Sequence, residues 1–60
     1  MKIFCVFNTS KSWVALNGQT IVDSPVEADF IIYEQPGDNI NSINSAKRSF
    51  DNDKLVFILS

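Results

Sequence analysis

Three short apolar runs, Ile3–Phe7, Phe30–Tyr33 and Leu55–Leu59, constrain this chain more than any other feature. Each is rich in β-branched and aromatic side chains, and none alternates with polar residues. A strand with one wet face alternates, whereas a strand covered on both faces reads as a continuous apolar run. The runs therefore predict strands of a parallel sheet, joined by a weaker strand at Thr20-Ile21-Val22. Parallel neighbours need a crossover, so helices are expected in the intervals.

The clearest helix lies between the last two strong runs. Ile40, Ile43, Lys47 and Phe50 fall on one helical stripe, with Ala46 beside it. Asp38 or Asn39 is placed to cap its start, and Lys47 and Arg48 fall in its last turn, where cations meet the helix dipole favourably. Asn52 is the expected left-handed exit. The Asn and Ser residues inside are poor helix formers, so packing must hold this helix together.

Residues 9 to 22 admit two readings. In the first, Thr9 or Ser10 caps a short helix, Trp13 and Leu16 point inward, and Gly18 is the residue just past its end. In the second, 13–16 and 19–22 form a hairpin about Asn17-Gly18, which would make the fold α+β. The helix is favoured. The flanks do not alternate cleanly, and two buried neighbouring runs need a crossover to lie parallel. Downstream, Ser24-Pro25-Val26-Glu27-Ala28 reads as one helical turn, with Ser24 as cap and Pro25 at the first helical position.

The pattern Gly18-x-x-Ile21-Val22-Asp23-x-Pro25-x-x-Ala28-Asp29-Phe30-Ile31-Ile32 resembles the middle of many doubly wound α/β domains. The expected architecture is one α/β domain over residues 1–60, in the order strand–helix–strand–strand–helix–strand. Its sheet is mostly parallel, in two layers or a thin three. Larger α/β domains add a helix after such a last strand, so one sheet face is expected to be thinly covered.

Sixty residues leave little room for a pocket once a core is filled, and a domain this small buries only about 60% of the surface its unfolded chain exposes. There is no histidine, hence no Ser-His-Asp or Cys-His arrangement and no Cys/His metal cluster. Cys5 is the only cysteine, so no disulfide closes within the chain, and inside an apolar run it reads as a buried thiol. The reading is a protein without enzymatic activity, cofactor or metal. Five cations against seven anions, with only Lys47-Arg48 adjacent, argue against direct nucleic-acid binding and against membrane-surface binding. No apolar run is long enough to span a bilayer, and the amino terminus lacks the form of a signal peptide. A cytoplasmic location, in the producing or a host cell, is expected.

Two groups of residues are candidates for binding. Asp23, Glu27, Asp29, Glu34 and Asp38 make an acidic middle third, with no cation between Gln19 and Asn44. If the second and third strands are neighbours, several of these carboxylates share one edge and can meet a basic surface. Trp13 and Tyr33, the sole Trp and Tyr, read as core or as interface anchors. The partner surface is thus assigned to Trp13, Asp23, Glu27, Tyr33, Glu34 and Asp38. Separately, Thr9, Ser10, Lys11 and Ser12 follow the first strand, where open parallel sheets bind ligands and where hydroxyls and a cation can hold a phosphate. That loop has no glycine and matches no nucleotide-binding motif.

These readings give a primary expectation and two alternatives. The primary one is a small acidic protein-binding module of the kind a phage or mobile element would use as an inhibitor. It would block a host nucleic-acid-handling complex by occupying its basic site. The first alternative is a nucleotide- or phosphate-binding half-domain using the loop before the first helix. The second is a self-associating structural protein, a homo-oligomer built through the apolar last strand at a sheet edge.

Overall fold

The computed structural model describes residues 1–35 and 40–59. The expected Asp38 or Asn39 cap and the Asp38 contact both lie outside the described residues. The described residues form one four-stranded, wholly parallel sheet and two helices: β1 (Lys2–Cys5), α1 (Lys11–Leu16), β2 (Thr20–Ile21), β3 (Phe30–Gln35), α2 (Ile40–Ser49) and β4 (Leu55–Leu59). Short 3-10 turns at Asn8–Ser10 and Pro25–Glu27 complete it. This is the expected α/β fold and element order.

The strand order is β2-β1-β3-β4, with Ile3 beside both Ile21 and Phe30, and Ile31 beside Leu55. The chain winds one way from β1 to β2 and the other way from β3 to β4. The order reverses between β1 and β3, so their carboxyl ends flank the topological switch point of a doubly wound sheet.

Strand geometry sends neighbouring side chains to opposite faces. On one face Ile3, Cys5 and Ile32 pack with Val14 of α1, with Ile21 and Ile58 partly buried around them. On the other, Phe50 just past α2 meets Phe4, ring centroids 6.1 Å apart. Tyr33 lies there between Phe7, edge-on at 5.1 Å, and Phe57 at 5.5 Å. The central strand matches the expectation of burial on both faces, since Ile31, Ile32 and Tyr33 are all buried. β4 does not, because it is an edge strand: Val56 is 39% exposed.

Residues 9 to 22 follow the helix reading, with α1 at Lys11–Leu16, and the α+β alternative with its Asn17-Gly18 hairpin is overturned. Asn17 N–H donates to the Trp13 and Val14 carbonyls at 3.2 Å, Gly18 N–H donates to Ala15 at 3.0 Å, and β2 pairs parallel with β1. Gly18 ends the helix in the left-handed region, φ 76°. The expected facing of α1 is also corrected. Leu16 is 87% exposed and Trp13 36%, while Val14 is 1% exposed and Ser10 is fully buried. Ser10 and Val14 are four residues apart and share the inward face. In a helix under two turns long, one anchored side chain sets the rotation, and that side chain is Ser10.

Three smaller expectations change. Neither Ser10 nor Ser24 makes a side-chain cap bond, although Ser24 does precede a turn with Pro25 at its start. Ala46 is the buried residue of α2, Ile43 is partly buried and Ile40 is 65% exposed, so the apolar stripe is engaged except at its amino end. Asn52 is not left-handed, because no described residue other than glycine has positive φ. The exit is made by Asp51 instead. Its Oδ1 accepts from Asp53 N–H at 3.0 Å and its carbonyl accepts from Lys54 N–H at 3.1 Å. This is an aspartate turn that needs no positive φ.

Candidate functional site

β1 ends at Cys5 and feeds the turn Asn8–Ser10, while β3 carries Glu34 one residue before its end. The switch point therefore gathers the start of α1 and the Glu34 carboxylate. Glu34 Oε1 accepts from Ser10 Oγ at 3.0 Å and from Trp13 Nε1 at 3.1 Å. Thr9 Oγ1 reaches the Glu34 carbonyl at 3.5 Å. One carboxylate thus ties the turn and the helix to the central strand. Ser10 spends its hydroxyl on Glu34 rather than on the backbone amides, which accounts for the missing cap bond.

This arrangement has a chemical consequence. The crevice at the carboxyl ends of parallel strands is where α/β domains accept anionic ligands. Here the protein's own carboxylate holds the donors. Of the expected anion-binding residues, Ser10 and Thr9 are engaged with Glu34, and Lys11 and Ser12 are exposed on the first turn of α1.

The expected acidic edge is dispersed. β2 and β3 are not neighbours, since β1 lies between them. Asp29 sits at the amino end of β3, where its Oδ2 accepts from Lys2 N–H at 2.8 Å. Glu34 is five residues further along the strand, about 16 Å away at ~3.3 Å per residue. Asp23 and Glu27 are exposed in the β2–β3 connection. Of the residues assigned to the partner surface, the structure joins Trp13 with Glu34, leaves Asp23 and Glu27 free-standing on the surface, and buries Tyr33.

Leu16, expected to point inward, is instead the most exposed large apolar side chain among the described residues. Trp13 is three residues before it, so the two share the outer face of α1. Loose packing does not explain their exposure. The accessible surface is 3956 Å², against the roughly 3,900 Å² expected of a folded monomer of this mass. The signal available in the sequence was Val14: a β-branched residue four positions after a small hydroxyl is an equally good inward pair, and it puts Leu16 outside.

Cys5 is buried, and burial raises its thiol pKa above the ordinary 9.0; Lys11 pulls it down and Glu34 pushes it up. A raised thiol pKa leaves little thiolate, the nucleophilic form. A shallow groove of about 230 Å³ lies at the other end of the sheet, lined by Pro25, Val26, Ile31, Phe50, Asp51 and Lys54 among others. It is remote from the Glu34 cluster. Among the described residues no three metal-ligating side chains come together, and no helix is long and apolar enough to cross a membrane. No protein-family model, no curated protein and no solved structure matches this chain.

Proposed function

We propose that this chain is a small non-enzymatic protein-binding module whose contact surface is the outer face of α1. One observation carries the reading: Trp13 and Leu16, the two largest apolar side chains of α1, are turned outward on a tightly folded domain. Exposed aromatic and aliphatic groups on a rigid element are the usual anchors of protein interfaces. The Glu34 bond fixes the Trp13 indole in advance, so docking has little side-chain freedom to remove. The net charge of −2 and the exposed Asp23 and Glu27 favour a partner with a basic surface. In its finer form the chain is an inhibitor, of phage or mobile-element type, that occupies a basic site of a nucleic-acid-handling complex. Glu34 is engaged within the molecule and does not belong to the charge part of that surface.

The test is affinity capture from host lysate with three proteins: the natural chain, Leu16→Lys, and Asp23→Lys/Glu27→Lys. Circular dichroism first establishes that all three fold alike, as exposed positions should allow. The reading expects a stoichiometric partner that Leu16→Lys loses, and that the double variant holds more weakly at low salt. A partner indifferent to Leu16→Lys would remove α1 from the interface, and capture of nothing would end the reading.

A further inference from the structure

We infer that the chain forms a symmetric dimer by antiparallel pairing of the β4 edge with β4 of a second copy. Among the described residues β4 lies at the edge of the sheet, with β3 as its one neighbour. Backbone geometry shows which of its groups face outward. Ile31 N–H donates to the Lys54 carbonyl at 2.8 Å, and Ile31 is paired with Leu55. In a parallel ladder that pattern turns the backbones of Val56 and Ile58 towards β3 and those of Leu55, Phe57 and Leu59 away from it. The Leu55 amide is taken by the Asn52 carbonyl at 3.4 Å. The Phe57 N–H and C=O, at the middle of the strand, point out of the sheet.

Natural edge strands are usually blunted by charge, proline, a bulge or brevity. The other edge, β2, is two residues long. β4 is five residues of Leu-Val-Phe-Ile-Leu, and none of the chain's charged residues falls within it. Its complement must be a neutral strand that is apolar on both faces. A second β4 meets that requirement. With a two-fold axis at Phe57, each Phe57 N–H donates to the other's carbonyl. Val56 then stands directly opposite Ile58 of the copy, apolar against apolar, and no like charges face each other. Both sides of the seam are then the same uncharged apolar row, so the copy is the occupant. The seam is about 17 Å long at ~3.4 Å per residue. It buries less than the roughly 1,200 Å² of a standard interface, so the dimer is weak, with Kd on the order of 100 µM. The inference uses a different surface from the α1 reading and stands or falls apart from it.

The experiment is sedimentation equilibrium on the purified chain from about 10 µM to about 1 mM, with amide hydrogen exchange at both ends of that range. The mass is expected to rise from 6.7 kDa towards twice that value. Slower exchange should appear at Phe57 and not at Val56 or Ile58, which are already bonded to β3. Val56→Lys should raise Kd about tenfold or more, since it puts an ammonium against Ile58 of the copy. If that variant misfolds, chemical synthesis with N-methyl-Phe57 removes the outward donor and leaves the bonds to β3 in place. Leu16→Lys should leave the dimer unchanged. A monomer throughout would overturn the inference. So would a dimer that survives both changes at β4, or one in which exchange at Phe57 does not slow.

Discussion

Ser10 is a buried polar side chain that ties α1 to the central strand. Its hydroxyl is fully buried and donates to a half-buried carboxylate. Hydrogen bonds to charged groups contribute about 1.5–3 kcal/mol, and a chain this short is stable by only ~3–9 kcal/mol in all. Ser10→Ala should therefore lower the unfolding free energy in urea by about 2 kcal/mol. Thr9→Ala, which removes only an exposed 3.5 Å contact, should stay within about 0.5 kcal/mol. Equal costs at the two positions would mean that Glu34 does not anchor the helix. Cys5 gives a pH prediction whose sign follows from its burial. Its pKa is raised in the folded state, so above the ordinary value of 9.0 the unfolded chain releases a proton that the folded chain keeps. Stability is then undiminished by this group below pH 9 and falls as pH rises from there towards the folded pKa. The difference in stability between the natural chain and Cys5→Ala should hold constant up to about pH 8 and narrow by about pH 10. A constant difference across that range would contradict a buried thiol.

At the scale of elements, α1 shows where sequence reasoning succeeds and where it stops. Helix or hairpin was a real ambiguity, because Asn-Gly favours a tight hairpin turn and Gly alone favours a helix end. The parallel topology resolves it: β2 must run alongside β1, and only a crossover allows that. The two alternatives remain separable by mutation. A two-residue hairpin turn of this kind needs positive φ at both Asn17 and Gly18, whereas the helix end needs it at Gly18 alone, Asn17 having φ −87°. A Cβ at Gly18 meets nothing within 4 Å, so Gly18→Ala reports backbone strain without steric clash. It should cost about 1 kcal/mol and lower the melting temperature by about 4–8 °C. Asn17→Ala loses one exposed bond to the Trp13 carbonyl, 2.7 Å, and should cost about 0.5 kcal/mol. Two comparable losses would favour the hairpin. The facing of α1 was illegible for another reason. Six residues span too few turns for periodicity to fix a rotation. The deciding contact is with Glu34, twenty-four positions from Ser10.

On the scale of the whole molecule, the order of strands explains both what was legible and what the domain does with its best site. Continuous apolar runs imply parallel strands, and right-handed crossovers leave few ways to arrange four of them. The fold could thus be read from Ile3–Phe7, Phe30–Tyr33 and Leu55–Leu59. Which carboxylates share an edge could not be read, since that depends on β1 lying between β2 and β3. The same order creates a switch point, and there Glu34 takes the place an anionic ligand would take. A phosphate arriving at Thr9–Ser12 would have to displace that carboxylate from Ser10 and Trp13. Losing two hydrogen bonds to a charged acceptor costs about 3 kcal/mol, which weakens any such binding by about 150-fold. A nucleotide that would otherwise bind at 100 µM would then need roughly 15 mM. Titration of the natural chain with inorganic phosphate and with ATP, followed by amide chemical shifts, should leave Thr9 to Ser12 unmoved at about 1 mM. Glu34→Gln, which keeps the shape and removes the charge, is the control that exposes any latent affinity. Saturable shifts in the natural chain below 1 mM would show that Glu34 swings aside, and the nucleotide-binding reading would displace the protein-binding one.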